Sequence, residues 1–216
     1  MTTRAARFGL VLPVKRLAVA KSRLSEVGDD LRRELVTAFV LDTVTACLEC
    51  RSVAQVLVVT DEIVLVRAVR ALGADAIPDG RPGDLNATVV QGVAELLRRQ
   101  PDLRPAAMCA DLPAARPEDL AVALERAAQV DGAAFVTDEA GTGTTLYTAP
   151  DLASFAPQFG AGSRAAHQAS GATEIDAPVT VRLDVDTPAH LAEARHHGVG
   201  SHTARVLTTR LPARDR

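Results

Sequence analysis

Val53-Ala-Gln-Val-Leu-Val-Val59 is the stretch that most restricts what this chain can become. Only Gln55 in it is polar, and four of its seven residues are valine. It is too short for a buried helix and does not alternate polar with apolar. A strand of that kind must be covered on both faces, which is the situation of a parallel sheet with helices above and below. Phe8-Gly-Leu-Val-Leu-Pro-Val14 reads the same way. Between the two, roughly Asp29 to Cys50, the spacing predicts a long helix. Val36, Val40, Thr43 and Cys47 fall at i, i+4, i+7 and i+11 on one face of it.

The alternation continues. Thr60-Asp61-Glu62 offers a cap and an acidic first turn for a helix to about Leu72. Strands are expected at 74–77, 106–110, 133–136 and 145–148, and helices over 85–99 and 117–129. A further helix opens near Ser163. The run from Val179 to Leu183 is expected to be the last sheet strand. Thr187-Pro188 caps and starts a helix through about His197. The fold class predicted is α/β: one mostly parallel, doubly wound sheet flanked by helices. One domain over 8–202 is expected, with a flexible N-terminus (1–7) and a loose polar tail (203–216).

Composition excludes several classes. No apolar stretch is long enough to span a bilayer, so no membrane partner is expected. Met1 to Arg7 lacks the apolar core of a signal peptide, which points to the cytoplasm. Three cysteines do not make a disulfide framework, and Cys47-x-x-Cys50 has no partner pair for zinc, so buried thiols are expected. Aromatics at 3% without Trp, and a formal net charge of −3, argue against a nucleic-acid surface.

The charges that remain are local. Lys15, Arg16, Lys21 and Arg23 lie within nine residues at the mouth of the first strand. In open α/β sheets the crevice beyond the carboxyl ends of the strands is the ligand site. A nucleoside triphosphate is the natural polyanion for such a cluster. Asp111 is expected to end the fourth strand, and Asp184-Val-Asp186 the last. Carboxylates at i and i+2 of a strand share a face about 6.6 Å apart. At an effective dielectric near 20 they repel by about 2.5 kcal/mol, which a cation would relieve. A solvated strand end and a helix cap explain Asp184 and Asp186 alone as well. Asp111 and the basic loop together favour Mg²⁺, which takes a few carboxylates and phosphate oxygens.

Weaker signals stay open. Gly141-Thr-Gly-Thr144 is an ordinary turn or a close backbone approach to a ligand. Gly160-x-Gly162-x-x-Ala165 matches a dinucleotide fingerprint but follows no buried strand, so that reading fails. Ser163 is either an anion contact at a helix start or a plain cap. Asn86 either reads a base or caps a helix. Asp42 either supports the basic loop or makes a local hydrogen bond. His167 follows Ser163 by one turn. His190, His196 and His197 read as surface residues. No Gly-x-x-x-x-Gly-Lys-Ser/Thr occurs, so the chain is not a P-loop NTPase.

In order along the chain stand Leu12-Pro-Val-Lys-Arg-Leu-Ala-Val-Ala-Lys-Ser-Arg-Leu24, Leu85-Asn86, Asp111-Leu-Pro113, Gly141-Thr-Gly-Thr144, Phe159-Gly160 with Ser163, and Asp184-Val-Asp-Thr-Pro188. Together they resemble the phosphoenolpyruvate or 2-phospho-L-lactate guanylyltransferases of coenzyme F-420 biosynthesis, above all the actinobacterial, phosphoenolpyruvate-using branch. The likeness covers roughly 8–206. It departs at Ala110, where that family usually has Gly; the extra methyl could crowd a nucleotide.

The resemblance implies a Rossmann-like nucleotidyltransferase fold and GTP as donor. It implies Thr144, Gly160 and Ser163 as phosphoenolpyruvate contacts, and Asp111, Asp184 and Asp186 as Mg²⁺ ligands. Lys15, Lys21 and Arg23 would neutralise the triphosphate in catalysis, with Arg16 and Asn86 also on the nucleotide. The product would be labile, so hand-off to the next pathway enzyme is conceivable. Other acceptors of the same chemistry are 2-phospho-L-lactate and 3-phosphoglycerate. Molybdopterin or sugar-phosphate nucleotidyltransferases usually carry a glycine-rich loop after strand one, and no Gly lies between Lys15 and Glu26. A non-catalytic α/β binding domain would have little use for the basic cluster.

Overall fold

Alternate residues of the first strand face opposite sides of the sheet, and that period-2 pattern organises the molecule. The structure, a computed structural model, describes residues 7–14 and 28–210. In chain order its elements are β1 (Phe8–Pro13), α1 (Asp29–Glu49), β2 (Val53–Val59), α2 (Ile63–Leu72), β3 (Asp75–Ile77), α3 (Leu85–Arg99), β4 (Arg104–Met108) and α4 (Pro117–Ala128). Then follow β5 (Ala134–Thr137), β6 (Thr144–Thr148), α5 (Ser163–Ala169), β7 (Thr173–Glu174), α6 (Val179–Arg182), α7 (Pro188–His197) and α8 (Ser201–Arg210).

The strands form one sheet in the order β3-β2-β1-β4-β6-β5-β7. Four neighbouring pairs are parallel, and only β6 runs antiparallel to its two neighbours. Leu10, Leu12, Val56 and Val58 enter one apolar core with Val40, Val44 and Cys47 of α1 and Leu120 and Leu124 of α4. Val11, Leu57 and Val59 enter the other, against Val89, Val93 and Leu96 of α3. Both faces of β1 and β2 are thus buried, as their unbroken apolar runs require. The mostly parallel α/β sheet stands as expected.

Three expectations fail. Val179 to Leu183 is not a sheet strand: 179–182 forms α6, with the Leu183 amide donating to the Val179 carbonyl at 2.9 Å. Its valines suggest a strand. Pro178 ahead of it and the bond from Thr180 Oγ1 to Asp119 of α4, 2.6 Å, turn the segment into a helical one. The sheet edge is taken instead by β7, parallel to β5.

The fourth strand, β4, ends at Met108, so Asp111 lies just beyond it rather than closing it. It also begins two residues earlier than expected. Pro105 stands inside it, in a position that sequence rules reserve for edges. The Pro105 carbonyl is nonetheless used, accepting from Thr148 Oγ1 at 2.7 Å.

The expected loose tail from Thr203 is helical up to Arg210 and packs on α1 through buried Thr203 and Leu207. Asp42 explains this. It is buried in α1, and its carboxylate accepts the amides of His202 and Thr203 at 2.9 and 2.8 Å, capping α8 from 160 residues away in sequence. Of the ends expected to be flexible, 1–6 and 211–216 lie outside the described residues.

Candidate active site

Chain order reverses between β1 and β4: the strands that follow β1 go outward to β2 and β3, and β4 lies on its other side. A crevice opens at the carboxyl ends of strands at such a point. A cavity of about 470 Å³ lies there, lined by Pro13 at the end of β1, Met108 at the end of β4 with Cys109 to Asp111 beyond it, and Phe159, Gly160, Asp184 and Asp186.

Backbone pairing assembles the acidic end of the cavity. The Leu112 amide donates to Thr43 Oγ1 of α1 at 3.0 Å, and the Val185 amide donates to the Asp111 carbonyl at 3.0 Å. Val185 is fully buried in a small core with Leu35, Phe39 and Leu183. With Leu183 and Val185 turned inward, Asp184 and Asp186 turn to the cavity. The i, i+2 relation expected of them therefore holds, on an extended segment outside the sheet. One carboxylate oxygen from each of Asp111, Asp184 and Asp186 lies within 4.8 Å of the others. An octahedral ion with bonds near 2.1 Å spaces its oxygens about 3 Å (cis) to 4.2 Å (trans) apart. Three hard oxygen donors at this spacing suit a small divalent metal, with slight closure.

Of the three residues expected to contact the acceptor, Gly160 lines this cavity. It has φ 136°, a backbone angle that L side chains rarely adopt, and open space where a Cβ would stand. Ser163 is buried at the first turn of α5, and its amide donates to the Gly160 carbonyl at 3.1 Å. Gly162, not Ser163, occupies the capping position. Thr144 starts β6, buried behind Cys109, whose Sγ is 3.4 Å from the Thr144 carbonyl oxygen. Gly160 and Ser163 are three residues apart, and Thr144, from β6, joins their segment through His167.

His167 holds them together, and sequence reading gave it little weight because a lone His on a short helix carries no motif. Its ring is fully buried and stacks on Tyr147 (centroids 4.7 Å) and Phe135 (5.3 Å), with Phe159 edge-on at 5.7 Å. Nε2 accepts the Gln158 amide at 2.8 Å, and Nδ1 lies 3.0 Å from Thr144 Oγ1. Burial pulls its pKa down to about 4.

Asn86, at the start of α3, neither caps a helix nor is free for a base with its whole amide. Asp84 is the cap, accepting the Ala87 amide at 2.9 Å. Asn86 holds the Phe159 backbone on both sides: Oδ1 accepts the Phe159 N–H at 2.8 Å and Nδ2 donates to the Phe159 carbonyl at 3.0 Å. Ala110, where the resemblance leads one to expect Gly, is among the residues that line the cavity. Lys15, Arg16, Lys21 and Arg23 lie outside the described residues. Val14, which lines a second cavity of about 230 Å³ next to the first, is the last described residue before them. Pro13 and Leu85 border both cavities, and Asp61, Asp79, Asp84 and Thr88 supply the polar side chains of the second among the described residues.

Cys47 and Cys50 are buried thiols, as expected, and burial raises the pKa of both. No described helix is long and apolar enough to cross a membrane.

The chain matches the family model described as guanylyl transferase CofC like over residues 8–210. It is 49% identical over 210 residues to a phosphoenolpyruvate guanylyltransferase of Streptomyces coelicolor, covering 96% of this chain and 99% of that one. A phosphoenolpyruvate guanylyltransferase of Thermomonospora curvata is 45% identical over 208 residues, covering 95% and 90%. Among solved structures, a candidate nucleotide-diphospho-sugar transferase from Desulfovibrio desulfuricans G20 superposes with a TM-score of 0.68 at 19% identity, covering 95% and 96%. That last likeness is one of fold.

Proposed function

The chain belongs to the guanylyl transferase CofC-like family and is a nucleotidyltransferase, and on that premise we propose that it transfers GMP from GTP to phosphoenolpyruvate. The products are enolpyruvyl-diphospho-guanosine and pyrophosphate, and the step belongs to coenzyme F-420 biosynthesis. The observation that carries the proposal is one cavity with three carboxylates on one side and the Gly160 backbone on the other. Near-half identity to chains named for this reaction selects the substrates.

A phosphate oxygen of phosphoenolpyruvate attacks the α-phosphorus of GTP in line. The bond from that phosphorus to the bridging oxygen breaks, and pyrophosphate leaves. A phosphate monoester is already a nucleophile near neutral pH, so no protein base is needed. Positioning and charge neutralisation do the work. Asp111, Asp184 and Asp186 would hold Mg²⁺, which when bound offsets charge on the attacking and leaving oxygens. Thr144, Gly160 and Ser163 hold the acceptor. Lys15, Lys21 and Arg23, with Arg16, meet the triphosphate and the departing pyrophosphate.

The second cavity suits the guanine. Carboxylates only accept hydrogen bonds, and guanine alone among the common bases places two adjacent donors, N1–H and N2–H₂, on one edge. Asn86 serves the nucleotide and acceptor sides alike, by fixing the Phe159 backbone. GTP and phosphoenolpyruvate are cytoplasmic metabolites, and the chain is placed there with them. A labile product favours direct hand-off to the next enzyme.

The test is pyrophosphate release with GTP, Mg²⁺ and a panel of phosphoenolpyruvate, 2-phospho-L-lactate and 3-phosphoglycerate. Phosphoenolpyruvate is expected to turn over fastest. Asp184→Ala and Asp186→Ala are each expected to lose at least about a hundredfold in turnover with an unchanged circular dichroism spectrum, direct metal ligands weighing more than the outer-shell groups that already cost ten- to a hundredfold. Near-normal activity in either variant removes the metal role, and no release with any of the three acids removes the reaction.

A further inference from the structure

We propose that His167 is the positioning residue of the acceptor wall, an imidazole whose fixed hydrogen bonds preset the Thr144 hydroxyl as a hydrogen-bond donor to phosphoenolpyruvate. The inference rests on the reading of Thr144 as an acceptor contact.

A backbone amide can only donate, so Nε2, which receives the Gln158 N–H at 2.8 Å, carries the lone pair. The ring proton is therefore on Nδ1. Its partners there are Thr144 Oγ1, 3.0 Å away, and the Ser163 backbone carbonyl, so Thr144 cannot donate to the ring. The hydroxyl's own proton is left to donate elsewhere, and no acceptor for it is found among the described residues. An anionic oxygen of the substrate is the acceptor the arrangement provides for.

The ring cannot exchange these roles by flipping. It stacks on Tyr147 and Phe135, at interplanar angles of 22° and 27°, with the Phe159 ring edge-on to it. Turning it over would set a nitrogen-bound hydrogen against the Gln158 amide. The same ring anchors Gln158, two residues before Gly160, and stands one helical turn after Ser163. All three acceptor contacts are thereby keyed to one side chain. His167 itself has both nitrogens engaged inside the protein and no exposed surface, so it acts through Thr144 and not on the substrate.

The experiment measures KM for phosphoenolpyruvate and for GTP by pyrophosphate release in His167→Phe, His167→Asn, Thr144→Val and the His167→Phe/Thr144→Val double variant. Phe fills the aromatic slot without hydrogen bonds. Asn restores a donor at the Nδ1 position. His167→Phe is expected to raise the phosphoenolpyruvate KM about tenfold and to leave the GTP KM within twofold, and Asn to recover most of the loss. Thr144→Val is expected to match His167→Phe, and the double variant to be no worse than either, because two residues acting through one contact are not additive.

A phosphoenolpyruvate KM unchanged in His167→Phe, both KM values raised alike, or losses that multiply in the double variant each overturn the inference. If Thr144→Val alone leaves the phosphoenolpyruvate KM unchanged, the acceptor-site reading falls, and this inference with it. Should His167→Phe not fold, His167→Asn against His167→Gln decides. Gln keeps only an acceptor for the Gln158 amide and is expected to bind phosphoenolpyruvate weakly, whereas Asn binds it nearly normally; equal values for the two overturn the inference.

Discussion

Replacing Gly160 with alanine separates backbone geometry from side-chain contact. An added Cβ meets nothing within 4 Å, so the substitution is sterically open, but the φ of 136° is not one that alanine tolerates. Holding an L residue there costs about 1–3 kcal/mol. Relaxing φ means rotating the Phe159–Gly160 peptide against the one that follows. Both are fixed: Asn86 Nδ2 donates to the Phe159 carbonyl at 3.0 Å, and the Gly160 carbonyl accepts the Ser163 amide at 3.1 Å. Each such bond contributes about 0.5–1.5 kcal/mol, so relaxation gains little over strain. The net penalty is therefore about 1–3 kcal/mol, of which a share of about 1.4 kcal/mol borne on binding is worth a tenfold change in an equilibrium constant and the rest lowers stability. Gly160→Ala is expected to raise the phosphoenolpyruvate KM up to about tenfold in a pyrophosphate-release assay, with the GTP KM within twofold. The melting temperature should fall by about 3–6 °C, since 1 kcal/mol moves a domain of this size by about 2–4 °C. Gly162→Ala, at φ 69°, carries comparable backbone strain outside the cavity and should lower the melting temperature alone. An unchanged KM and an unchanged melting temperature in Gly160→Ala, or equal shifts of the two KM values, would refute the reasoning.

Asp42→Ala removes two charge-assisted caps on α8 and is expected to destabilise the protein by about 3 kcal/mol, read as a loss of about 6–12 °C in melting temperature; a shift under 1 °C would mean the carboxylate does not hold α8. Stability should also depend on pH through His167, whose pKa falls from 6.5 to about 4 in the fold because burial disfavours its charged form. Between those values the unfolded chain binds more protons, so the contribution is complete above about pH 6.5 and drains away as pH falls toward 4. Between pH 7 and 4.5 the loss is about 2.5 kcal/mol in denaturant unfolding. His167→Phe should lose that part of the slope, and a parallel pH profile in the variant would contradict the assignment.

What could be read from sequence depended on whether the governing contact was local. β2 and α3 match their expected bounds to the residue, because a two-sided apolar run and a capped amphipathic helix carry their own instructions. The 179–183 segment did not, because its fate is decided by Asp119 on another helix and by Pro178, against the β-preference of its valines. α8 looked like a polar tail because its cap, Asp42, lies 160 residues earlier in the chain. The site divides in the same way. The three aspartates were legible by type and spacing, although the strand expected to carry two of them does not exist. The roles of His167 and Asn86 were not legible, since both act on backbone groups that no side-chain pattern encodes.

The charge of the cavity leads to the strongest demand on the proposed reaction. Its described lining contains Asp111, Asp184 and Asp186 and no Lys, Arg or His. Two polyanionic substrates must nonetheless meet there. A phosphate charge about 5 Å from one bare carboxylate is repelled by about 3 kcal/mol at an effective dielectric of 20, so cations must offset these carboxylates where the substrates bind. Cations are thus needed for binding and not only for the chemical step, and the metal is the one that can sit among the carboxylates themselves. Chelation is then expected to weaken phosphoenolpyruvate and GTP together in calorimetric titrations, each by more than tenfold, whereas the acceptor-wall variants weaken phosphoenolpyruvate alone. Full-strength phosphoenolpyruvate binding in excess chelator would show that Lys15, Arg16, Lys21 and Arg23 suffice, and would move the carboxylates from substrate binding to some other role.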